Sequence, residues 1–448
     1  MKKISFSRAL LETRLADRLI PEKKYALQQK RLAALLAHAR NNSPYLKEKY
    51  ADIPVDAPLS AYPITTKQEM MAHFDSYMSD PLVTREKVDA FMENTDNVGR
   101  KFLGKYLVYT TSGSTGNPCI ALYDDSANNV SAAVGVWRSF ARPEDFRAFL
   151  KSGGRTMALF ADGGFYLASG SVRYNLRKMP WKKKQMRTFE VRRPMEEIVS
   201  ALNDFQPSML GCYPSALQLI AREQEAGRLH IHPAIIMTGG EQLTEDVRDY
   251  LSRVFGCWVQ TNYSCTEGGT LACECTAHHF HVNEDWIILE AVDEQNQPVP
   301  FGTQSSKVLL TNLSNRICPF IRFEITDRVV MHGETCSCRK PGLWLTLEGR
   351  TDDILTFAGG IRIAPMNLYA ELKEIHSIRR FQLIQKEEDR LELRLLAQDP
   401  QSAFEEAAER LRVYLSANGV RARIEYSPKL PETNPVSGKF QHIIALKK

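Results

Sequence analysis

Residues 209–262 read MLGCYPSALQLIAREQEAGRLHIHPAIIMTGGEQLTEDVRDYLSRVFGCWVQTN. Three short apolar runs, Met209 to Tyr213, Ala234 to Met237 and Trp258 to Asn262, alternate with two stretches of helical spacing, Ser215 to Glu225 and Thr244 to Phe255. The runs have strand length, and the segments between them are long enough to cross back over a sheet. This alternation predicts an α/β fold with a mostly parallel, doubly wound sheet. Upstream, Met195 to Phe205 reads as another helix and Met157 to Phe160 as another strand. Tyr106 to Tyr109 and Ile120 to Tyr123 read as short strands flanking a polar loop.

Further out the character changes at both ends. Leu32, Leu35, Leu36 and Ala39 follow helical spacing and stop at Asn41-Asn42-Ser43-Pro44. After residue 285 strands follow closely (Trp286 to Val292, Lys307 to Thr311, Phe320 to Met331), predicting a β-rich subdomain. Past Gly349-Arg350, helices near Asn367 to Ile375 and Phe404 to Leu415 combine with strands around Phe381 to Leu396 and one final strand. We therefore expect a large N-terminal domain, 1–349, and a small α+β domain, 350–448.

Composition narrows the function classes. Of 448 residues 43% are apolar and 25% charged, which is ordinary for a globular chain and excludes disorder. A net charge of +5 over this length is too mild for a dedicated nucleic-acid binder. No apolar run approaches the ~20 residues of a membrane span. Charges interrupt the start, MKKISFSRALLETRLADRL, before a signal-peptide core can form, so a cytoplasmic location is expected. Seven of the nine cysteines fall between Cys257 and Cys338. Thiols clustered in that way point to a metal or to chance rather than to a disulfide framework.

Thr110-Thr111-Ser112-Gly113-Ser114-Thr115-Gly116-Asn117-Pro118 sets hydroxyls and two glycines between two strands. Glycines let backbone N–H groups approach an anion, and hydroxyls add donors. A Walker loop fits poorly, because its Gly-Lys-Ser/Thr ending and the following helix are missing.

Five more segments follow in order: Thr238-Gly239-Gly240-Glu241, Asn262-Tyr263-Ser264-Cys265-Thr266-Glu267-Gly268, Arg322-Phe323-Glu324-Ile325-Thr326-Asp327, Gly349-Arg350-Thr351-Asp352-Asp353 and Ser437-Gly438-Lys439. The series resembles the acyl-adenylate-forming enzymes, in particular the phenylacetate–CoA ligase branch, with its relatives of the deazaflavin-coenzyme adenylyltransferases, over roughly residues 25 to 445. The resemblance implies that a large domain binds ATP and a carboxylic acid, while a small mobile lid carries the catalytic lysine. Thr111, Ser112, Gly113, Ser114, Thr115 and Gly116 would contact the β- and γ-phosphates. Gly239, Gly240 and Glu241 would line the adenine side, with Asn262, Tyr263 and Ser264 beside the base and Tyr263 stacked on it. Thr266 would touch the α-phosphate, and Glu267 would be a Mg²⁺ ligand. Asp327 would hold the ribose hydroxyls with help from Arg350, Asp352 would be the hinge, and Lys439 would bridge the carboxylate and the α-phosphate. The chemistry suits these residue types, since a carboxylate attacking a phosphate joins two anions whose repulsion a cation and a lysine relieve. Where such loops commonly carry lysine this chain has Asn117, which weakens one phosphate contact.

Cys273-Glu274-Cys275, His278-His279-Phe280-His281 and Cys336-Ser337-Cys338 could build a tetrahedral thiolate–imidazole site. The resemblance narrows it to Cys275, His281, Cys336 and Cys338, with Cys273 or His279 as substitutes, and implies a structural Zn²⁺. It also places the acyl pocket at Phe160, Gly163, Gly164, Phe165 and Tyr213, where aromatic walls suit an aryl or hydrophobic acid. Nine basic residues between Arg173 and Arg193, opposed there only by Glu190, could dock coenzyme A phosphates or an acidic carrier protein. The expected activity is formation of an acyl-adenylate with pyrophosphate release, then transfer to a thiol, CoA foremost. The alternatives are loading of an acyl carrier protein and transfer of AMP to a cofactor hydroxyl. Pairing as a homodimer is a trait of relatives.

Overall fold

The computed structural model describes residues 3–111 and 118–446. The chain falls into two compact units. The larger runs to Ile325 and takes in Val330–Thr346, while the smaller joins Thr326–Val329 to Leu347–Lys448.

The larger unit is organised by a nine-stranded mixed sheet. Five neighbouring strands, Met186–Glu190, Thr156–Phe160, Met209–Cys212, Ile235–Thr238 and Trp258–Cys265, pair in parallel. Parallel strands are covered on both faces, so they read as near-continuous apolar runs. Leu159, Leu210, Ile235 and Ile236 are accordingly fully buried. Helices Met195–Phe205, Pro214–Glu225 and Glu245–Phe255 bring Leu202, Leu217, Ile220 and Leu251 onto that core. The last of these helices ends at Gly256, whose φ of 64° lets the left-handed cap form without a Cβ penalty. Right-handed crossovers of this type leave the carboxyl ends of the strands along one edge, where α/β ligand sites form.

Beyond Trp258–Cys265 the sheet turns antiparallel through Gly269–Glu274, Phe280–Val282 and the start of Trp344–Arg350. The predicted run Phe320 to Met331 divides into Phe323–Ile325 and Asp327–His332. Its first half joins Ile287–Val292 and Lys307–Asn312 in a separate three-stranded sheet. Helices Asp125–Arg138, Pro143–Lys151 and Leu167–Lys178 have no counterpart in the sequence reading. Asp125–Arg138 is rich in Ser, Asn, Val and Gly, all weak helix formers, and its start depends on Asp124 accepting the Ala127 N–H.

In the smaller unit four strands lie in the order Arg423–Ser427, Arg390–Ala397, Ile378–Glu387, Ile443–Ile444. Helices Pro365–Lys373 and Pro400–Ala417 contribute Leu368, Leu372, Ala407 and Leu411 to a core shared with Leu383, Leu391 and Leu393. Among the described residues no helix is long and apolar enough to cross a membrane.

Candidate functional site

The sequence motifs fall at strand ends. Leu107–Thr110 and Ile120–Tyr123 form an antiparallel hairpin in which Thr110 faces Ile120. Thr111 closes its neck: its N–H donates to the Cys119 carbonyl at 3.0 Å, and its Oγ1 accepts the Cys119 N–H at 2.8 Å. Ser112, Gly113, Ser114, Thr115 and Gly116, together with Asn117, lie outside the described residues.

Gly239 and Gly240 follow strand Ile235–Thr238, and Gly240 turns the chain with φ of 78°. The Glu241 carboxylate accepts the Ser215 N–H and Oγ–H, each at 3.0 Å. It therefore caps helix Pro214–Glu225, a role invisible in its own motif. Asn262 donates to Ser139 Oγ at 3.1 Å, Tyr263 is buried, and Ser264 is exposed beside a break in register. Two bonds fix the next turn: Tyr123 Oη donates to the Thr266 carbonyl at 2.9 Å, and Asn312 Nδ2 to the Glu267 carbonyl at 3.0 Å. The Glu267 carboxyl group is buried and receives the Cys119 thiol, whose pKa is pushed up by burial and then by the Glu267 charge. A single carboxylate of this kind is a donor Mg²⁺ takes, because this ion keeps waters and substrate phosphates as its remaining ligands.

A residue the sequence reading passed over supports strand Trp258–Cys265. Glu274 is fully buried, paired with Arg248, and accepts the Thr261 N–H at 2.9 Å. A carboxylate inside an alternating strand next to two cysteines was the available signal.

The smaller unit gathers its own share. Arg350 lies 3.7 Å from Asp327 and 3.1 Å from Asp352. Burial alone would lower its pKa, but Asp327, Asp352 and Asp353 raise it. Thr326 Oγ1 accepts from Arg350 at 2.7 Å and donates to Asp352 at 2.9 Å, so the hinge candidate is tied on both sides. Lys439 sits in a turn closed by Asn434: Asn434 N–H donates to the Lys439 carbonyl at 2.8 Å, and Asn434 Oδ1 accepts two further backbone N–H groups. Buried Gln382 donates to the carbonyls of Glu432 and Gln441 on either side of that turn.

At the expected acyl pocket, Phe160 and Tyr213 meet edge to face at 5.0 Å, and a Cβ on Gly211 would reach 3.3 Å from Phe160. Gly163 is exposed with φ of 114°, and a Cβ on Gly164 would strike the Tyr166 ring at 2.7 Å. Phe165 points elsewhere. It packs against Phe91 in the N-terminal helical core, and its carbonyl accepts from Thr110.

The fourth cluster is the tightest. The ligand atoms of Cys275, His281, Cys336 and Cys338 all lie within 4.8 Å of one another. Cys275 and Cys336 sulfurs are 3.9 Å apart, close to the roughly 3.8 Å edge of a tetrahedron with Zn–S bonds of about 2.3 Å. Burial, then the neighbouring Lys340, His279 and Lys24, lower the His281 pKa to about 4, leaving a neutral imidazole. Backbone N–H groups of Ala277 and Lys340 donate to the sulfurs of Cys275 and Cys338. The substitutes stand outside: Cys273 packs against Asn283, while His279 reaches Cys336 sulfur at 3.3 Å and stacks on Trp344.

No family model matches the chain. In sequence it is similar to the phenylacetate–coenzyme A ligase of Thermus thermophilus, at 25% identity over 401 residues, covering 85% of this chain and 82% of the relative. It is also similar to protein CapK of Staphylococcus aureus, at 21% identity over 328 residues, or 69% of this chain and 64% of that one. Among solved structures it resembles 2-hydroxyisobutyryl-CoA ligase in a postadenylation state, with a TM-score of 0.66 at 17% identity over 95% of this chain and 90% of that one. An anthranilate–CoA ligase in complex with anthranoyl-AMP matches with a TM-score of 0.54 at 16% identity, over 74% and 64% of the two chains.

Proposed function

We propose that this chain, which in motif order, sequence and fold resembles the acyl-adenylate-forming enzymes of the phenylacetate–CoA ligase-like branch, is an AMP-forming acid–thiol ligase. It would activate an aryl or hydrophobic carboxylic acid as the acyl-adenylate, release pyrophosphate and pass the acyl group to coenzyme A. The observation that carries this reading is a likeness to a phenylacetate–CoA ligase along 85% of the chain, with the motif residues set at successive strand ends.

In this reading Tyr263 and the Gly239–Gly240 turn take the base. Asp327 accepts from the ribose hydroxyls, since its two oxygens match a vicinal diol, and Arg350 pairs with it at 3.7 Å. Thr266 binds the α-phosphate from a turn pinned by Tyr123 and Asn312. Lys439 enters from the smaller unit, acting as a lid, and stabilises the crowded charge at the α-phosphorus as the carboxylate attacks. Mg²⁺ held by Glu267 would supply further charge neutralisation when bound. Phe160 and Tyr213 form an aromatic wall for the acid. Zn²⁺ at Cys275, His281, Cys336 and Cys338 would be structural, with four protein ligands and no open position.

Acid-dependent pyrophosphate release across aryl and aliphatic acids, with CoA added or omitted, tests the proposal. Lys439→Ala should slow adenylation by about 10²–10³ while leaving the melting temperature unchanged. Absence of acid-dependent release, or a fully active Lys439→Ala, would refute the ligase reading. A stable AMP adduct on a small cofactor, seen by mass spectrometry, would replace it with adenylyl transfer.

A further inference from the structure

The basic run from Arg173 to Arg193 divides into two populations. All five arginines are engaged: Arg173 with Asp162 at 2.7 Å, Arg177 with the Asp96 carbonyl at 2.8 Å, and Arg187 over the Phe205 ring at 4.7 Å. Arg192 pairs with Glu190 at 2.7 Å and Arg193 with Glu197 at 3.0 Å. Glu190 is thus not their sole opponent, because Asp162 and Glu197 fold back onto the run. The four lysines differ in their ion pairs, although Lys178 lies over the Tyr174 ring at 5.9 Å. Among the described residues Lys178, Lys182, Lys183 and Lys184 have no carboxylate at ion-pair distance.

These lysines end helix Leu167–Lys178 and fill the 3₁₀ turn Pro180–Lys184, which leads into Met186–Glu190 at the edge of the large sheet. Trp181 stands among them at 73% exposure, the highest of any aromatic side chain among the described residues. More positive charge lies close by. Burial, then repulsion from Arg100 and Arg173, holds the Arg177 guanidinium below its ordinary pKa.

Recognition of a discrete phosphate favours arginine, whose fork binds bidentately, and here those forks are occupied. Protein interfaces are depleted in lysine at their cores. Hydrated lysines around an unburied indole instead match the water–lipid interface, where tryptophan sits at headgroup level and lysines face anionic lipid. Charge at a sheet edge also deters strand pairing, but Arg187 on the strand itself serves that end, and an exposed tryptophan would work against it.

We propose that the corner formed by Lys178, Trp181, Lys182, Lys183 and Lys184 docks the protein on an anionic bilayer surface. The binding is peripheral and reversible: the indole enters the headgroup layer and the lysines add long-range attraction that salt screens.

Co-sedimentation of the full chain with phosphatidylcholine vesicles, with and without phosphatidylglycerol, tests this directly. Binding should require the anionic lipid and disappear at high salt. Each lysine contributes about fivefold near such a surface, so Lys182→Glu/Lys183→Glu/Lys184→Glu should weaken binding by about a hundredfold or more. Trp181→Ala should weaken it several-fold and Trp181→Phe less. All these residues but Lys182 are exposed, so melting temperature and acid-dependent pyrophosphate release without CoA should stay at wild-type values. Failure to bind mixed vesicles at low salt, or undiminished binding by the triple variant, overturns the proposal. Lysine-dependent retention on an acidic acyl carrier protein without vesicle binding overturns it in favour of a protein partner.

Discussion

A single carboxylate shows how the frame around the hairpin of Leu107–Thr110 and Ile120–Tyr123 depends on charge. Asp80 accepts from Tyr106 Oη at 2.6 Å, from the Leu82 N–H at 3.0 Å and from Lys105 at 3.2 Å, and Tyr106 leads directly into the first strand of the hairpin. Its pKa is held below the ordinary value, chiefly by the Tyr106 bond. A depressed carboxylate pKa contributes stability that is fully present above the unfolded value of about 4 and is lost as pH falls through the lower folded value. Asp80→Asn should therefore cost about 1–2 kcal/mol at neutral pH in denaturant melts. The gap between variant and wild type should narrow in acid; a gap unchanged down to the acid transition would remove the charge from this account. At this scale the sequence marked the motif residues but not what else they hold. Glu241 was legible beside Gly239 and Gly240, whereas its capping of Ser215 and the Cys119 thiol on Glu267 both join residues far apart in the chain.

Elements decide how such residues are aimed. Strand Trp258–Cys265 ends the parallel array and Gly269–Glu274 returns antiparallel, so Thr266 and Glu267 sit in a tight turn rather than at the mouth of a helix crossover. Gly269 makes that turn with φ of 68°, and a Cβ there would lie 2.7 Å from Ser131 Oγ. Gly269→Ala should cost about 1–3 kcal/mol through left-handed strain plus the clash. Adding Ser131→Gly should recover only the clash, and full recovery would show the backbone to be unstrained. The same hairpin leads into the thiol cluster: Cys275 follows the strand directly, His281 lies on the next one, and Cys336 and Cys338 precede Trp344–Arg350. If Zn²⁺ sits there, metal analysis should find about one zinc per chain. Cys336→Ser should lose the metal and lower the melting temperature, and a metal-free wild type of equal stability would count against the site. The sequence resolved these strands where apolar runs were bounded by turns. It merged Phe323–Ile325 with Asp327–His332, because Thr326, a good strand former, hides a break that only tertiary pairing makes. It also missed Leu167–Lys178, which starts without a side-chain cap and is held by packing of Ser169, Gly170 and Tyr174 rather than by propensity.

Over the whole molecule, the division of labour follows from two separate cores. The smaller unit's apolar cluster, from Leu355 to Ile443, is drawn entirely from its own residues. The larger unit's parallel strands and their helices likewise close around residues between Met157 and Val259. The change of pattern near residue 350 was visible because antiparallel hairpins and short helices replace long strand–helix alternation. That Thr326–Val329 pairs its fortunes with residues after 347 was not, since no local signal marks a strand shared between units. If Lys439 is the only group of the smaller unit that acts on the reacting atoms, the two functions should separate by truncation. A chain ended after Thr346 keeps the hairpin and the three-stranded sheet whole, the nine-stranded sheet but for the end of Trp344–Arg350, and the residues assigned to the base, the α-phosphate and the acid wall. It should melt cooperatively and still be stabilised by ATP, because binding to the folded state alone raises its apparent stability. Its pyrophosphate release should fall at least as far as that of Lys439→Ala, about 10²–10³. Wild-type release by the truncated chain would show that the lysine turn closes nothing. Loss of ATP stabilisation in a truncated chain that still melts cooperatively would show that the ribose pair of Asp327 and Arg350, which truncation breaks, carries most of the nucleotide binding.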